Sequence, residues 1–190
     1  MNNPNVEVVA INDLTDVDTL TYLFKRDSVH GQYPGDVSSE NGRLFIDEYS
    51  LAVLSERDPE KLPWAQLEID LVIECTGIFR DREGAGKHLT AGAKRIVISA
   101  PAQGNIPTVV LGVNDEILTG EEAIVSNASC TTNCLAPMVK ILDQAFGVQK
   151  GFITTIHAYT ADQRLQDSIK TIEKLKGFWQ AETYYKPAVV

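Results

Sequence analysis

The sequence predicts an α/β fold built around a parallel sheet, and three observations support this. Short apolar runs recur at Val6–Ile11, Leu71–Gly77, Arg95–Ser99, Thr108–Val113 and Ala123–Val125. Near-continuous apolarity is how strands buried on both faces read. Stretches with helical spacing alternate with these runs across short connections, the pattern of strand–helix–strand units. Finally, Ala123-Ile-Val leads into Ser126-Asn-Ala-Ser-Cys-Thr-Thr-Asn-Cys134. The run Leu135, Met138, Leu142 and Ala145 leads out of it and stops at Gly147, so a strand gives way to a helix there.

With 190 residues, 44% of them hydrophobic, the chain is long enough for one domain, or for one domain and part of another. A formal charge of −9 argues against broad contact with nucleic acid or an anionic membrane. No apolar run approaches a membrane span, and no signal peptide is recognisable, so a cytoplasmic location is expected. Cys75, Cys130 and Cys134 cannot all pair, and unpaired thiols are the expectation.

In chain order, Val6–Ile11 is the first strand, ending at Asn12-Asp13. Asp16 is an N-cap type, and Val17, Leu20, Leu23 and Phe24 form the stripe of an amphipathic helix. Asp13 stands where a nucleotide fold places the carboxylate for the adenosine ribose. As read from position alone, a turn or capping aspartate fits equally well. Residues 28–66 are polar and turn-rich. Phe45, Leu51, Val53 and Leu54 offer strand-like fragments there, and Arg57 reads as a solvated surface arginine.

Leu71–Gly77 is a buried strand ending in a small-residue turn, with Cys75 inert in its core. Cofactors bind beyond the carboxyl ends of such strands, which makes Thr76 and Gly77 candidate lining. Ala85–Ala93 is a crossover helix with His88 expected on its surface and no role assigned to it. Ser99 lies in the next carboxyl-end loop. Phe152–His157 alternates as a strand with His157 opposite Phe152. Ser168–Lys176 carries a weak helical stripe, and an aromatic tail follows.

Cys130 falls at the strand-to-helix junction, with Ser129 as an N-cap type before it. The positive end of the helix dipole would lower a thiol's pKa there. Ser129, Thr131 and the first backbone N–H groups suit an anion. Pro137 opposes this reading, since proline kinks or breaks helices. By turn rules alone the helix starts later. Cys130, Cys134 and His157 give at most three ligands without a C-x-x-C element, so no metal site is expected. Cys134 is expected to be structural.

Ser126–Pro137 followed by His157-Ala-Tyr-Thr-Ala-Asp-Gln163 resembles the phosphorylating glyceraldehyde-3-phosphate dehydrogenases. The likeness extends upstream through Val6–Asp13, Ser28–Gly31, Glu56–Pro59, Glu74–Gly77 and Ser99–Ala102, and covers roughly residues 4–167. It implies an incomplete Rossmann-type doubly wound sheet followed by the start of an α+β catalytic domain. The expected boundaries are 1–129 for the NAD-binding domain, 130–167 for the catalytic domain and 168–190 for a tail unlike the family.

The resemblance implies Cys130 as nucleophile and His157 as base. It implies Ser129, Thr131 and Thr160 as phosphate and substrate contacts. Asp13, Arg57, Thr76, Gly77 and Ser99 become cofactor contacts, with the Asp13 carboxylate favouring NAD over NADP. The implied partners are a phosphorylated aldehyde, inorganic phosphate and, as the family forms tetramers, further copies of the chain.

Two departures temper these implications. The glycine-rich phosphate turn (G-x-G-x-x-G) normally precedes the ribose carboxylate by about 20 residues. No such motif occurs in the sequence, and only five residues precede Val6, so the sheet is expected to lack its central strand. The family's phosphate-binding arginine and nicotinamide-orienting asparagine fall beyond Asp167. The isolated chain is therefore expected to be inactive. Erythrose 4-phosphate as substrate, or a non-catalytic fragment that binds nucleotide or pairs with a full-length subunit, are the alternatives.

Overall fold

A computed structural model describes residues 3–160. The chain falls into two compact units. Among the described residues, one comprises 3–57 together with 157–160, and the other Asp58–Ile156.

The first unit is organised by β1 (Ala10–Asn12), α1 (Val17–Lys25), the short pair β2 (Arg26–Asp27) and β3 (Gly31–Gln32), and the strands β4 (Val37–Glu40), β5 (Arg43–Ile46) and β6 (Tyr49–Leu54). Its main sheet has the order β1-β6-β5-β4. Only the β1–β6 pair is parallel, with Ile11 opposite Val53, and the rest is an antiparallel meander. The β4–β5 turn is Asn41-Gly42, both at positive φ (50° and 74°), the backbone that a two-residue hairpin turn demands. Alternation puts Leu44, Ile46 and Leu51 in the core against Ile11, Val17 and Val53. Each such side chain contributes about 1.5–3 kcal/mol on burial. Asp16 caps α1 by accepting from the Thr19 N–H at 2.8 Å, as expected.

The first strand is shorter than its apolar run. Val6 and Val8 are exposed and lie outside β1, because β6 offers a parallel partner only from Ala52 to Leu54.

The second unit carries β7 (Leu71–Glu74), α2 (Arg82–Thr90), β8 (Arg95–Ile98), β9 (Ile124–Ser126) and α3 (Cys130–Phe146). The sheet β7-β8-β9 is parallel throughout, and Ile96, Ile98 and Ile124 are its buried centre. The α/β class with parallel strands is as expected. The described strands form separate sheets, β1-β6-β5-β4 and β2-β3 in the first unit and β7-β8-β9 in the second.

Other expectations need correction. Thr108–Val113 is not a strand: only Thr108 bridges to Ser126, after which the Asn114 amide closes the chain into a turn by bonding the Val110 N–H and the Thr108 carbonyl. Phe152–His157 is not assigned to a strand among the described residues, and Phe152 and Ile156 are fully exposed. Alternation alone does not make a strand without a ladder partner. His88 is buried rather than on the surface, at 4% exposure. It lies one turn after the fully buried Ala85, on the same face of α2. Helix α2 itself begins earlier than expected, at Arg82, because Asp81 caps it through the Gly84 N–H at 2.6 Å. The helical stripe and aromatic tail expected after Asp167 lie outside the described residues.

Candidate active site

Helix α3 begins at Cys130 and runs through Pro137 to Phe146, so the expectation of a later start or a break is overturned. Ser129 decides the start. Its Oγ accepts from the Thr132 N–H at 3.0 Å and lies 2.7 Å from the Thr132 hydroxyl. A serine cap with N–H groups one turn on is the standard N-terminal device. Pro137 sits two turns in and forfeits one ladder bond, to the Asn133 carbonyl. Gly147, in the left-handed region at φ 71°, ends the helix by donating to the Asp143 carbonyl. The apolar stripe including Met138 and Leu142 is exposed among the described residues.

The turn before the helix is held by residues the sequence reading gave no role. Ser126, at the end of β9, is fully buried. Its Oγ donates to the Ala100 carbonyl at 2.7 Å and accepts from the Ala128 N–H at 3.1 Å. Asn127 N–H donates to the Ile98 carbonyl at 2.9 Å. Ala128 is buried and held at φ 59°, a left-handed conformation costing about 1–2 kcal/mol outside glycine. Strain of this kind persists only where neighbours over-determine it. Asn133 closes the turn by donating its amide to the carbonyls of Asn127 (2.7 Å) and Ser129 (2.9 Å). A signal was present in the sequence: an Asn four residues after an N-cap Ser is placed to reach back over the first turn. Cys130, exposed, is the first residue beyond this strained bend.

The other candidates of this unit lie at the same end of its sheet. Thr76 and Gly77 follow β7 and are exposed, with Gly77 at φ 71°. Ser99 follows β8 and is exposed; its N–H donates to the Glu74 carbonyl at 3.0 Å. Cys75 lies between them, half-buried, and burial pushes its thiol up despite a bond with Ser99, which suits an inert residue. The structure thus gathers Thr76, Gly77, Ser99 and Cys130 at the carboxyl ends of three adjacent parallel strands, where nucleotide cofactors bind in open α/β sheets. Thr131 is half-buried in the first turn of α3.

In the first unit, Asp13 follows β1. Its N–H donates to the Leu54 carbonyl at 3.0 Å and its Oδ1 accepts from the Thr15 N–H at 2.8 Å. One carboxylate oxygen therefore shapes the turn. Arg57 is exposed just past β6. Asn12 ties the two segments together: its amide donates to the Glu56 carbonyl and accepts from the Glu56 N–H, both at 2.9 Å. The sequence reading used Asn12 only as a strand end. His157 and Thr160 are exposed and grouped with this unit. Cys130 and His157 thus belong to different units. Among the described residues no cluster of His, Cys, Asp and Glu could hold a metal, and no helix is long and apolar enough to cross a membrane.

Taken unit by unit against a dinucleotide, the second unit offers the hydroxyls and backbone of Thr76, Gly77 and Ser99, and the first offers the Asp13 carboxylate. The pyrophosphate has no G-x-G-x-x-G turn in the sequence.

Parallel strands whose carboxyl-end loops carry Thr76, Gly77 and Ser99, with a cysteine opening the following helix, define a class: α/β proteins of the nucleotide-binding type. Comparison with known proteins narrows this. Residues 1–82 match the family model for the glyceraldehyde 3-phosphate dehydrogenase NAD binding domain, and residues 129–180 match the model for its C-terminal domain. The chain belongs to the glyceraldehyde-3-phosphate dehydrogenase family.

Three relatives bear that enzyme's name. One from Clostridium pasteurianum is 54% identical over 164 residues, 86% of this chain and 49% of the relative. One from Mycoplasma pneumoniae is 54% identical over 169 residues, 88% and 50%. One from Thermotoga maritima is 53% identical over 165 residues, 87% and 50%. The chain spans about half the length of the curated relatives it matches.

Proposed function

We propose that this chain carries the cofactor-binding half and the nucleophile helix of an NAD-dependent phosphorylating aldehyde dehydrogenase acting on glyceraldehyde 3-phosphate. The observation that carries the reading is the placement of Cys130 at the first position of α3, exposed, behind a serine cap and a strained bend. A thiol there meets the positive end of the helix dipole, which favours the thiolate.

In this reading the Cys130 sulfur adds to the aldehyde carbon, forming a C–S bond and a hemithioacetal. The Cys130 N–H, in the first turn of α3, stabilises the developing oxyanion. His157 takes the hydroxyl proton. NAD, when bound by Asp13, Arg57, Thr76, Gly77 and Ser99, supplies the two-electron acceptor. Oxidation leaves a thioester on Cys130. Inorganic phosphate near Thr131 then attacks its carbonyl, the C–S bond breaks, and an acyl phosphate leaves with the thiolate restored. Thr160 contacts the phosphate of the substrate. Because the Ser129 hydroxyl already caps α3, it contributes to anion binding only by sharing that oxygen. The expected domain division at residue 129 and self-association of the chain belong to the same proposal.

The isolated chain is expected to turn over slowly or not at all, since its sequence holds no phosphate-cradling glycine turn. The test is therefore chemical. Iodoacetamide is added across pH with and without NAD, and alkylation is read at each cysteine by mass spectrometry. Cys134, exposed one turn later, is the internal control. Faster alkylation of Cys130 at neutral pH, altered by NAD, supports the reading. Equal rates, indifferent to NAD, would replace it with a non-catalytic fragment.

A further inference from the structure

Glu74, His88 and Trp64 are each at most 4% exposed and take no part in the chemistry above. They form one chain of hydrogen bonds. Trp64 Nε1 donates to His88 Nδ1 at 2.9 Å. An indole N–H can only donate, so Nδ1 must accept, and the ring's proton lies on Nε2. Nε2 therefore donates to Glu74 Oε2, also at 2.9 Å. The other carboxylate oxygen, Oε1, accepts from the Thr76 N–H at 2.7 Å and from the Thr76 hydroxyl. That hydroxyl in turn accepts from the Ile78 N–H at 3.1 Å. The rings of Trp64 and Phe79 flank the imidazole, one stacked and one edge-on.

Burial alone would raise the Glu74 carboxyl, but the donors from His88 and Thr76 outweigh it and hold it below the usual range. A buried carboxylate is costly unless its oxygens are satisfied, and an ordinary turn can be closed more cheaply by a surface Asn or Ser. What distinguishes this one is its place. The Glu74 side chain fixes the Thr76 turn at the carboxyl end of β7, while the Ser99 N–H on its backbone carbonyl, at 3.0 Å, continues the β7–β8 ladder.

We infer that Glu74, His88 and Trp64 are positioning residues that lock the Thr76–Gly77 turn for the nicotinamide end of a dinucleotide. The ligand named here rests on the proposed function; the locking of the turn does not. His88 acts through its Nε2–H tautomer, which Trp64 selects. The carboxylate charge of Glu74 is needed because both of its oxygens accept.

The test has one arm without cofactor and one with it. In the unmodified chain, ¹⁵N NMR should show His88 as the Nε2–H tautomer. The Nδ1–H tautomer would overturn the inference. In Glu74→Gln, which keeps the shape but gives one end of the group donors only, amide exchange at Thr76 and Ile78 should accelerate at least tenfold. Trp64→Phe should produce a smaller acceleration, because His88 can then adopt either tautomer. At a temperature where the variants remain folded by circular dichroism, the Kd for NAD should rise about tenfold in Glu74→Gln. Accelerated exchange with an unchanged Kd would overturn the positioning role and leave a structural one. Unchanged exchange would overturn the inference entirely. If the unmodified chain fails to bind NAD, the functional reading and the ligand named here both fall, while tautomer and exchange still decide whether these residues lock the turn.

Discussion

Replacing Ser126 by alanine should loosen the nucleophile turn far more than the loss of one oxygen suggests. The side chain is fully buried and makes two bonds, to the Ala100 carbonyl and from the Ala128 N–H. The bond to the Ala100 carbonyl is worth about 1 kcal/mol net, and the Ala128 N–H, buried and left without its partner, costs about 1–3 kcal/mol. Together they predict a loss of about 2–4 kcal/mol. A second consequence follows from Ala128, whose positive φ is maintained against a preference of about 1–2 kcal/mol for ordinary backbone. Without the Ser126 hydroxyl, Ala128 relaxes, and Ser129 and Cys130 shift with it. Urea unfolding measures the first effect and the ratio of Cys130 to Cys134 alkylation the second. A loss below about 0.5 kcal/mol with an unchanged ratio would refute this account of the turn.

Gly92 sits at φ 107°, and a Cβ there would lie 2.5 Å from the Ala65 Cβ; Gly92→Ala should cost roughly 1–3 kcal/mol, read by urea unfolding. Pro137→Ala should restore the helix bond to the Asn133 carbonyl and stabilise the chain by up to about 3 kcal/mol, seen as a higher urea midpoint with unchanged slope. The Glu122 carboxylate gathers the Thr119 N–H and hydroxyl and the Gly120 N–H, which lowers its pKa to about 2. Because the folded value is depressed, the bonds of this loop persist above the ordinary carboxylate range and are lost as pH falls towards 2; NMR titration of the Glu122 side chain, with loss of protection at the Thr119 and Gly120 amides, checks it.

The sequence disclosed what is written in local pattern. The α1 cap at Asp16, the Cys130 junction and the Gly147 stop each need only neighbours within a turn or two, and all three appear as read. What it hid depends on partners far along the chain. Val6 and Val8 are as apolar as any buried strand, yet they lie outside β1 and are exposed. His88 looks like a polar residue on a polar helix. Only the position of Trp64, 24 residues earlier, and Glu74, 14 residues earlier, makes it a core residue. Pro137 misled in the opposite sense. A rule about one ladder bond was outweighed by a cap at Ser129, a stop at Gly147 and many other bonds.

Within the stretch Ser126–Cys134, chemistry and architecture divide cleanly. Ser126, Asn127, Ala128, Ser129 and Asn133 are occupied in bending the backbone and starting the helix, and their partners all lie between Ile98 and Asn133. That entire support belongs to the Asp58–Ile156 unit. The start of the helix at Cys130 is therefore set within one unit, and the alkylation rate reports on it. His157 belongs to the other unit, and its part in the proposed chemistry needs its own test. His157→Ala should thus separate two sources of thiol activation. If the helix terminus alone activates Cys130, its excess reactivity over Cys134 survives the substitution. If an imidazole partner is in place, the excess drops and the pH dependence loses its histidine step, as an ion-paired thiol requires.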